Sequence, residues 1–357
     1  MAEYDIGQTS RTDLTSTVTN FNIDSVSPDR VMSGETVWDF PDADQNLGYY
    51  KSVPELKKAI DALAMWTTGR GYEADEKTKL TLGILRGWGE DNFLTIVRNL
   101  LVQKKVFGDC FAEIIRGKNG RLLNLKPLYP GDMRIVVDDE GIISHYEQRV
   151  GKDTMKLKVE QIFHSSNDRI ANEIHGTSVI ECVKWIIDAM NEAMRDHRQV
   201  IHRNLIPVRI IEVDTEDTAK RDLLIAEYEN AIKKGEVLVI PKGTVEMKNE
   251  TVQIQDPIKW ISYLENRFYL AVGVPRVVLG GSSDHTEAAS KVDYLTFEEV
   301  YNREHEEFES DFLNQIGLTI KFNKPASLQE PLASSEEKNT GQVGFQQNDT
   351  EVKASRQ

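Results

Sequence analysis

Apolar residues recur at helical spacing in the first half of the segment 256–313, and this segment organises the rest of the chain. The apolar positions stand three and four apart, which places them on one face of a predicted helix. They are Ile258, Ile261, Leu264, Phe268, Ala271 and Val272. Pro257 suits the first helical turn, where a missing N–H costs nothing.

A break follows this helix, and a second helix follows the break. Pro275 disfavours helical geometry at the residue before it, so Gly273 and Pro275 are predicted to end or kink the first helix. Gly280-Gly281-Ser282-Ser283 reads as a short polar loop. A longer and strongly acidic helix is predicted to start at Asp284 or Thr286. From the pattern alone, this segment is equally well an ordinary helical hairpin of a core.

The N-terminal half of the chain predicts an arm, two helices and an antiparallel sheet. Residues 1–50 are polar and read as an extended arm that is ordered only where a neighbour holds it. A helix is predicted from Ser52, with Ser52 as its cap and a capping box to Glu55, and a second over 91–106. Apolar runs over 110–163 predict a β meander, with Asn119-Gly120 as a hairpin turn.

A long helix dominates the middle of the chain. Ser178 and Glu181 form a capping box, and a near-heptad apolar stripe follows as far as Arg203. About 26 residues at ~1.5 Å each span roughly 39 Å, a length that suits a strut packed against other copies. Residues 205–255 predict a small α/β insertion. A short strand is predicted over 318–322, and the polar residues 326–357 are predicted to be disordered.

Composition narrows the function. The chain has 357 residues, of which 39% are hydrophobic and 28% charged, and no apolar run approaches the ~20 residues that a membrane span needs. The formal net charge is −15. A protein that binds nucleic acid electrostatically is basic at least in its binding domain. This chain therefore either does not contact nucleic acid or contacts it without binding it tightly.

Motifs for chemistry do not stand out. The sequence has no phosphate-binding glycine loop and no His-Glu-x-x-His zinc helix, so we predict no catalytic residue, no metal, no cofactor and no enzymatic activity. The acidic run Glu304, Glu306, Glu307 and Glu309 is most simply a solvated helix face, with a functional negative surface as the alternative.

Several segments, in this order, resemble portal proteins of tailed bacteriophages. Gly108 to Arg116 (GDCFAEIIR), Leu125 to Leu128 and Met133 to Val136 resemble the portal wing. Phe163-His164 and His175 to Ser178 resemble the lead-in to the first stem helix. Arg267 to Gly280 (RFYLAVGVPRVVLG) resembles the segment that precedes the tunnel loop. The resemblance covers about residues 50–320, and its strength lies in the order of the segments.

The resemblance implies an α+β, ring-forming portal fold with a wing, long stem helices, a small α/β clip and a tunnel loop. Its boundaries would be an arm over 1–50, a wing over 51–177, a first stem helix over 178–204, a clip over 205–255, a second stem helix over 256–279, a tunnel loop over 280–285, a long wing helix and final strand over 286–325, and a disordered tail or reduced crown over 326–357. The apolar spacing of a large crown is missing from this tail.

The resemblance also implies sites and partners. The channel loop would be Gly280, Gly281, Ser282, Ser283, Asp284 and His285. The stem would use Trp185, Met190, His197, Ile261, Leu264 and Phe268, with the helix break at Gly273 and Pro275. Twelve copies would form a ring at one capsid vertex of the virion, after assembly in the host cytoplasm. Double-stranded DNA would pass through the ring, and its partners would be the terminase large subunit, the head–tail connector, and the major capsid and scaffolding proteins, without a membrane.

Two other hypotheses belong to different classes. A head–tail adaptor or other capsid protein would share the virion location, but adaptors are shorter and lack the stem–clip–stem order. An accessory subunit of a nucleic-acid-processing enzyme would need the metal or nucleotide site that the sequence does not offer. The portal is therefore the favoured hypothesis.

Overall fold

A computed structural model describes residues 30–32, 35–205, 209–213, 217–219, 222–223, 225–226, 245–249, 257–280 and 286–325. The α-helices discussed below are α1 (Ala43–Ser52), α2 (Pro54–Thr68), α3 (Glu76–Gly83), α4 (Phe93–Phe107), α5 (Val179–Leu205), α6 (Pro257–Val272) and α7 (Glu287–Asp311). One π-helical turn, Phe312–Ile316, continues α7.

The described strands are β1 (Arg30–Met32), β2 (Glu35–Trp38), β3 (Tyr72–Glu73), β4 (Asp109–Arg116), β5 (Leu122–Leu128), β6 (Met133–Val137), β7 (Ile143–Val150), β8 (Asp153–Lys158), β9 (Ile162–Ser166), β10 (Arg209–Val213), β11 (Val245–Asn249) and β12 (Lys321–Phe322). They form a five-stranded sheet in the order β1-β2-β6-β7-β8, a three-stranded sheet β5-β4-β9, and the pairs β12-β3 and β10-β11. All of the pairings are antiparallel.

The chain divides into two compact units. The first contains residues 1–181 and 272–357, and the second contains 182–271. The core of the first unit lies where α4 covers the β5-β4-β9 sheet. Its centre is made of fully buried apolar side chains, which include Ile96, Val97, Leu100, Cys110, Ala112, Leu125, Phe163, Phe308 and Phe312. The described part of the second unit includes most of α5, most of α6 and the antiparallel pair β10-β11.

The sequence predicted most of these elements. The hairpin at Asn119-Gly120 is present, with Gly120 at φ +77°, and β4 pairs with β5 on either side of it. The long helix begins one residue after Ser178, whose Oγ accepts from the N–H of Ile180 at 3.1 Å. Strands β10 and β11 and short helical stretches between them are described in the predicted α/β insertion, while residues 227–244 lie outside the described residues.

Two predictions in the N-terminal half are wrong, one on the extended arm and one on the cap at Ser52. Residues 35–50 are not an extended arm, because β2 pairs with β6 and α1 packs beside α2. Three of the few apolar residues in this stretch are buried in the fold: Val37, Phe40 and Ala43. Helix α3, of low amphipathicity, was not predicted. Residues 1–29 lie outside the described residues.

The predicted cap at Ser52 is also wrong. Ser52 is the last residue of α1, and its hydroxyl donates to the Gly48 carbonyl instead. Val53 is the N-cap of α2 and offers no side-chain oxygen. Pro54 explains this register, because its fixed φ and missing N–H favour the first helical position itself.

A close backbone approach joins the end of α4 to the start of α5. Gly108 adopts φ +88° after α4, and a Cβ there would lie 2.1 Å from the carbonyl oxygen of Gly176. Both residues must therefore be glycine, since any side chain would push the two segments apart. Ser178 adds a second tie, donating from Oγ to the Val106 carbonyl at 2.6 Å.

Candidate functional site

The end of α6 has the break that the sequence predicted. Gly273 adopts φ +74°, a left-handed conformation that ends the helix after Val272. The next residue, Val274, is fully buried and belongs to the first unit. From Pro275 the backbone makes consecutive turns, closed by N–H bonds from Val278, Leu279 and Gly280 to the carbonyls three residues before them.

The base of the predicted channel loop is attached to α2. The Lys58 ammonium donates to the Leu279 carbonyl at 2.7 Å, and Gly280 follows at φ +81°. Gly281, Ser282, Ser283, Asp284 and His285 lie outside the described residues, so only the two ends of the loop are described. The chain re-enters at Thr286, which caps α7 by accepting from the Ala289 N–H. This is one of the two predicted starts.

Helix α7 turns an aromatic stripe into the core. Phe297, Tyr301, Phe308 and Phe312 are all fully buried. Trp66 of α2 packs edge-on against Phe297 and stacks on Tyr301, with ring centroids about 6 Å apart. The helix that follows the loop is therefore fixed to the same helix that holds the loop's other end.

A buried ion cluster fixes α7 to α4. Glu304 is fully buried; its Oε2 lies 3.0 Å from the Lys104 ammonium and its Oε1 lies 2.6 Å from that of Lys105. Lys104 also pairs with Glu307, and Lys105 donates to Asn167 at 2.8 Å. The solvated-face interpretation of the acidic run is therefore wrong for Glu304, although Glu306 is exposed.

Opposite charge decides the ionisation of this cluster. Burial alone would raise the pKa of Glu304, but the ammonium groups of Lys105 and Lys104 outweigh it and hold the pKa at about 2. The same carboxylates raise the pKa of Lys104, against the effect of burial. Sequence reasoning missed the cluster because Lys104-Lys105 ends a helix, where basic residues are common for another reason.

A second buried cluster lies at the start of β4. The carboxylate of Asp109 lies 3.0 Å from His164 Nε2 and 3.2 Å from His175 Nδ1, and it accepts from the Gly176 N–H at 3.1 Å. Burial would raise the pKa of Asp109, but the two imidazoles outweigh it and hold the pKa well below its usual range. The cluster fastens the segment that leads into α5 to the central sheet.

The geometry of this cluster is not that of a catalytic triad. Ser166 Oγ lies 3.3 Å from His164 Nε2, the same nitrogen that faces Asp109. The other nitrogen, Nδ1, contacts the Tyr146 hydroxyl at 3.0 Å. A relay needs the hydroxyl and the carboxylate on different ring nitrogens, so this imidazole cannot pass a proton from Ser166 towards Asp109.

The predicted stem residues divide between buried and exposed positions of α5 and α6. Met190, Leu264 and Phe268 are buried, while His197 and Ile261 are partly exposed. Trp185 is 48% exposed, and the Arg267 guanidinium lies 5.1 Å from its ring centroid, which joins the two helices. Their assignment to a stem stays a prediction.

Neither a metal-binding cluster nor a membrane-spanning helix is present among the described residues. They contain no cluster of three or more His, Cys, Asp or Glu side chains able to hold a metal ion. None of the described helices is long and apolar enough to cross a membrane.

Three solved structures match the chain to different degrees. A chain in the virion of the native gene transfer agent particle has a TM-score of 0.65 and 17% identity, covering 86% of this chain and 91% of that one. A chain in the neck of the native particle, computed with C12 symmetry, has a TM-score of 0.64 and 18% identity, covering 87% and 92%. An HK97-family phage portal protein from Corynebacterium diphtheriae has a TM-score of 0.48 and 12% identity, covering 81% and 97%. A search of curated proteins gives no match.

The sequence itself gives the assignment. The profile of the family described as phage portal protein matches residues 71–340, which is well over half of the chain. The match confirms the predicted portal fold and the expected virion setting. Portal proteins are structural proteins and not enzymes, so the match also confirms the prediction of no enzymatic activity. The family match and the order of the elements agree: this chain belongs to the phage portal protein family.

Proposed function

We propose that twelve copies of this chain form a ring at one vertex of a capsid and that double-stranded DNA passes through the ring during packaging and ejection. In this proposal α5 and α6 form the stem, residues 205–255 form the clip, and residues 280–285 form the tunnel loop. The clip receives the terminase large subunit during packaging and a head–tail connector afterwards. Capsid and scaffolding proteins surround the ring, and assembly takes place in the host cytoplasm.

The observation that carries the proposal is the apolar surface of α5 and α6. Seven large apolar side chains on these two helices are at least 45% exposed: Trp185, Met194, Ile201, Ile258, Trp260, Tyr263 and Leu270. Leu270 alone is 82% exposed. Exposed apolar side chains in this number, with Trp260 and Tyr263 stacked on each other, favour a contact with another protein, and helices of neighbouring copies would cover them in a ring. The neck chain with a similar fold was computed with C12 symmetry, which supports the number twelve.

The charge of the chain fits a conduit. Each phosphate that a protein neutralises adds salt-dependent affinity, so a strongly basic lining would hold DNA in place. A net charge of −15 favours weak contact and free movement. The sequence has no nucleotide-binding loop, so in this proposal the partner motor hydrolyses ATP.

Native mass spectrometry of the purified full chain, with negatively stained particles, tests the ring. Closed rings of about twelve copies with a central hole are expected from the family fold. A protein that stays monomeric or dimeric at high concentration and in the presence of its scaffolding protein would overturn the proposal.

Deletion of residues 281–284 tests the loop separately. Ring assembly should be unchanged, because both ends of the loop are held by α2: Leu279 through Lys58, and α7 through Trp66. Packaging or retention of DNA should fall. Normal packaging by intact rings of the deletion variant would contradict a channel role for the loop and leave the ring proposal standing.

A further inference from the structure

The first unit has an exposed apolar groove that is remote in sequence from the loop and the stem. It has a volume of about 530 Å³ and is bounded by α1, α4, the loop before α4 and the end of β5. Leu47 and Tyr50 form one wall, Val102 and Phe107 the floor, and Trp88 the outer edge. An apolar groove of this size fits side chains of a peptide rather than a large folded surface.

Trp88 is exposed but fixed in place. It is 69% exposed, yet its indole N–H donates to the Pro127 carbonyl at 2.9 Å. The Lys126 ammonium lies 4.2 Å from its ring centroid, and Asn124 bonds the backbone of Gly87 through both its amide oxygen and its amide nitrogen. An exposed aromatic ring that is already held in one orientation loses little entropy on binding, which is the property of an interface anchor.

The polar groups of the groove favour a partner that carries carboxylates. Among the described residues that line the groove, Arg98 is the one charged side chain and none is a carboxylate. Arg98 donates from Nε to Thr68 Oγ1 at 3.3 Å, and within the described part of the chain no carboxylate pairs with it. Gln103, also in the lining, has a buried amide oxygen without a hydrogen-bond partner among the described residues. An incoming backbone N–H would satisfy this oxygen.

Residues 1–29 of the chain have the matching chemistry. They contain five acidic residues, Glu3, Asp5, Asp13, Asp24 and Asp29, against the single Arg11. Phe21 and Ile23 stand two positions apart, the spacing that puts both side chains of an extended segment on one face. The segment thus offers apolar side chains, carboxylates and backbone N–H groups together.

Residue 30, where the described part of the chain begins, lies within reach of the groove. Arg30 pairs with Val37, so residue 29 joins the β1-β2 hairpin at the end from which β2 continues into α1. Only five residues separate Val37 from Ala43, the first residue of α1, whose later residues form the groove wall. At ~3.3 Å per residue this connection is about 20 Å at most, and 29 residues can extend about 100 Å.

We propose that residues 1–29 bind in this groove of their own chain, with their carboxylates at Arg98 and apolar side chains against Trp88 and Val102. The groove is then a docking site for the N-terminal segment. This occupant covers apolar surface that would otherwise remain exposed on the first unit.

Hydroxyl-radical footprinting of Trp88 in the full chain tests this. The Trp88 oxidation rate should rise by about twofold to fivefold in Arg98→Glu, the range expected for losing one exposed charge pair. A similar rise is expected when the five acidic residues of the segment become their amides. Lys79→Glu is the matched control, because it makes the same charge change at an exposed position of α3 outside the groove.

Three outcomes would overturn the proposal. One is an unchanged Trp88 rate in either test variant, and another is an equal rise in the Lys79→Glu control. The third is Trp88 protection that falls on dilution, which would place a segment of a second copy in the groove. Thermal unfolding of each variant shows whether the fold is intact, and the amide variant leaves every described side chain unchanged because its five substitutions lie in residues 1–29.

Discussion

Replacing Glu304 with glutamine removes the negative charge that holds two lysines of α4 against α7. Lys104 keeps Glu307 as a partner, but Lys105 keeps only the amide oxygen of Asn167. Because both lysines are almost completely buried, water cannot replace the lost carboxylate. Glu304→Gln should therefore destabilise the first unit strongly while leaving the shape of the side chain unchanged.

Two estimates of the magnitude agree. The Glu304 pKa of about 2 lies roughly 2.5 below its ordinary value of 4.5, and at ~1.36 kcal/mol per pKa unit this corresponds to about 3 kcal/mol. Breaking a buried ion pair by removing one partner typically costs about 3–5 kcal/mol. For a unit of this size, 3 kcal/mol lowers the melting temperature by about 6–12 °C.

Thermal unfolding at pH 7 measures this loss, with Glu306→Gln as the control. Glu306→Gln makes the same chemical change two residues further along α7, on its exposed face. Its effect on the free energy of unfolding should therefore stay within about 0.5 kcal/mol. A Lys105→Met, Glu304→Leu double variant should regain much of the loss, because it removes the unpaired charge together with its partner. A melting temperature of Glu304→Gln equal to that of Glu306→Gln would refute the reasoning.

The acid dependence of the wild-type chain has a defined sign. The folded-state pKa of Glu304 is depressed, so its contribution to stability is complete above its unfolded value of about 4.5 and is lost as the pH falls towards 2. Glu304→Gln should therefore show a smaller decrease in melting temperature than the wild type between pH 5 and 3, measured by the same assay.

Other variants test the remaining contacts. Asp109→Asn should lower the free energy of unfolding by about 2–3 kcal/mol at pH 7 in chemical denaturation, because a buried carboxylate loses its hydrogen bonds to two imidazoles; the loss should shrink in acid, where the wild type loses the same contribution. Gly108→Ala should cost more than about 3 kcal/mol, whereas Gly120→Ala, with a similar φ and open space around it, should cost about 1–2 kcal/mol. Leu270→Asp should abolish rings in native mass spectrometry without lowering the melting temperature of the subunit, and Leu80→Asp, exposed on the first unit, should leave rings intact.

Sequence patterns predicted the turns and helix ends that are set by one or two neighbouring residues. Asn119-Gly120 gave the hairpin, because Gly120 readily supplies the left-handed conformation that this turn needs, at φ +77°. Pro257, Gly273 and Pro275 gave the limits of α6, since proline fixes φ and glycine readily adopts the left-handed conformation that ends a helix. Ser52 misled the prediction because a capping residue and the last residue of a preceding helix look alike in sequence, and only the neighbouring Pro54 decides between them.

The clusters were beyond the reach of sequence patterns because their residues meet only in the folded chain. Lys104 and Glu304 are 200 positions apart, and each has an ordinary local explanation as a helix-end cation or a solvated acid. Glu304 differs from Glu306 only by its place on the helix. Counting back along α7 puts Glu304 on the face of Phe297, Tyr301 and Phe308, while Glu306 lies opposite. That spacing was a usable signal: an acidic residue in phase with a buried aromatic stripe predicts a buried partner of opposite charge.

The same reasoning connects the clusters to the proposed function. In the proposed ring α5 and α6 are the stem helices, and each subunit must be folded before its neighbours cover their apolar surface. The structure fastens the entry to α5 through Asp109 and through the Gly108–Gly176 contact, and it fastens α7 through Glu304. All three are contacts of the first unit alone, so they hold in a single subunit as well as in a ring. Variants in them should therefore lower the stability of the subunit first and ring formation only as a consequence, whereas Leu270→Asp should affect the ring alone.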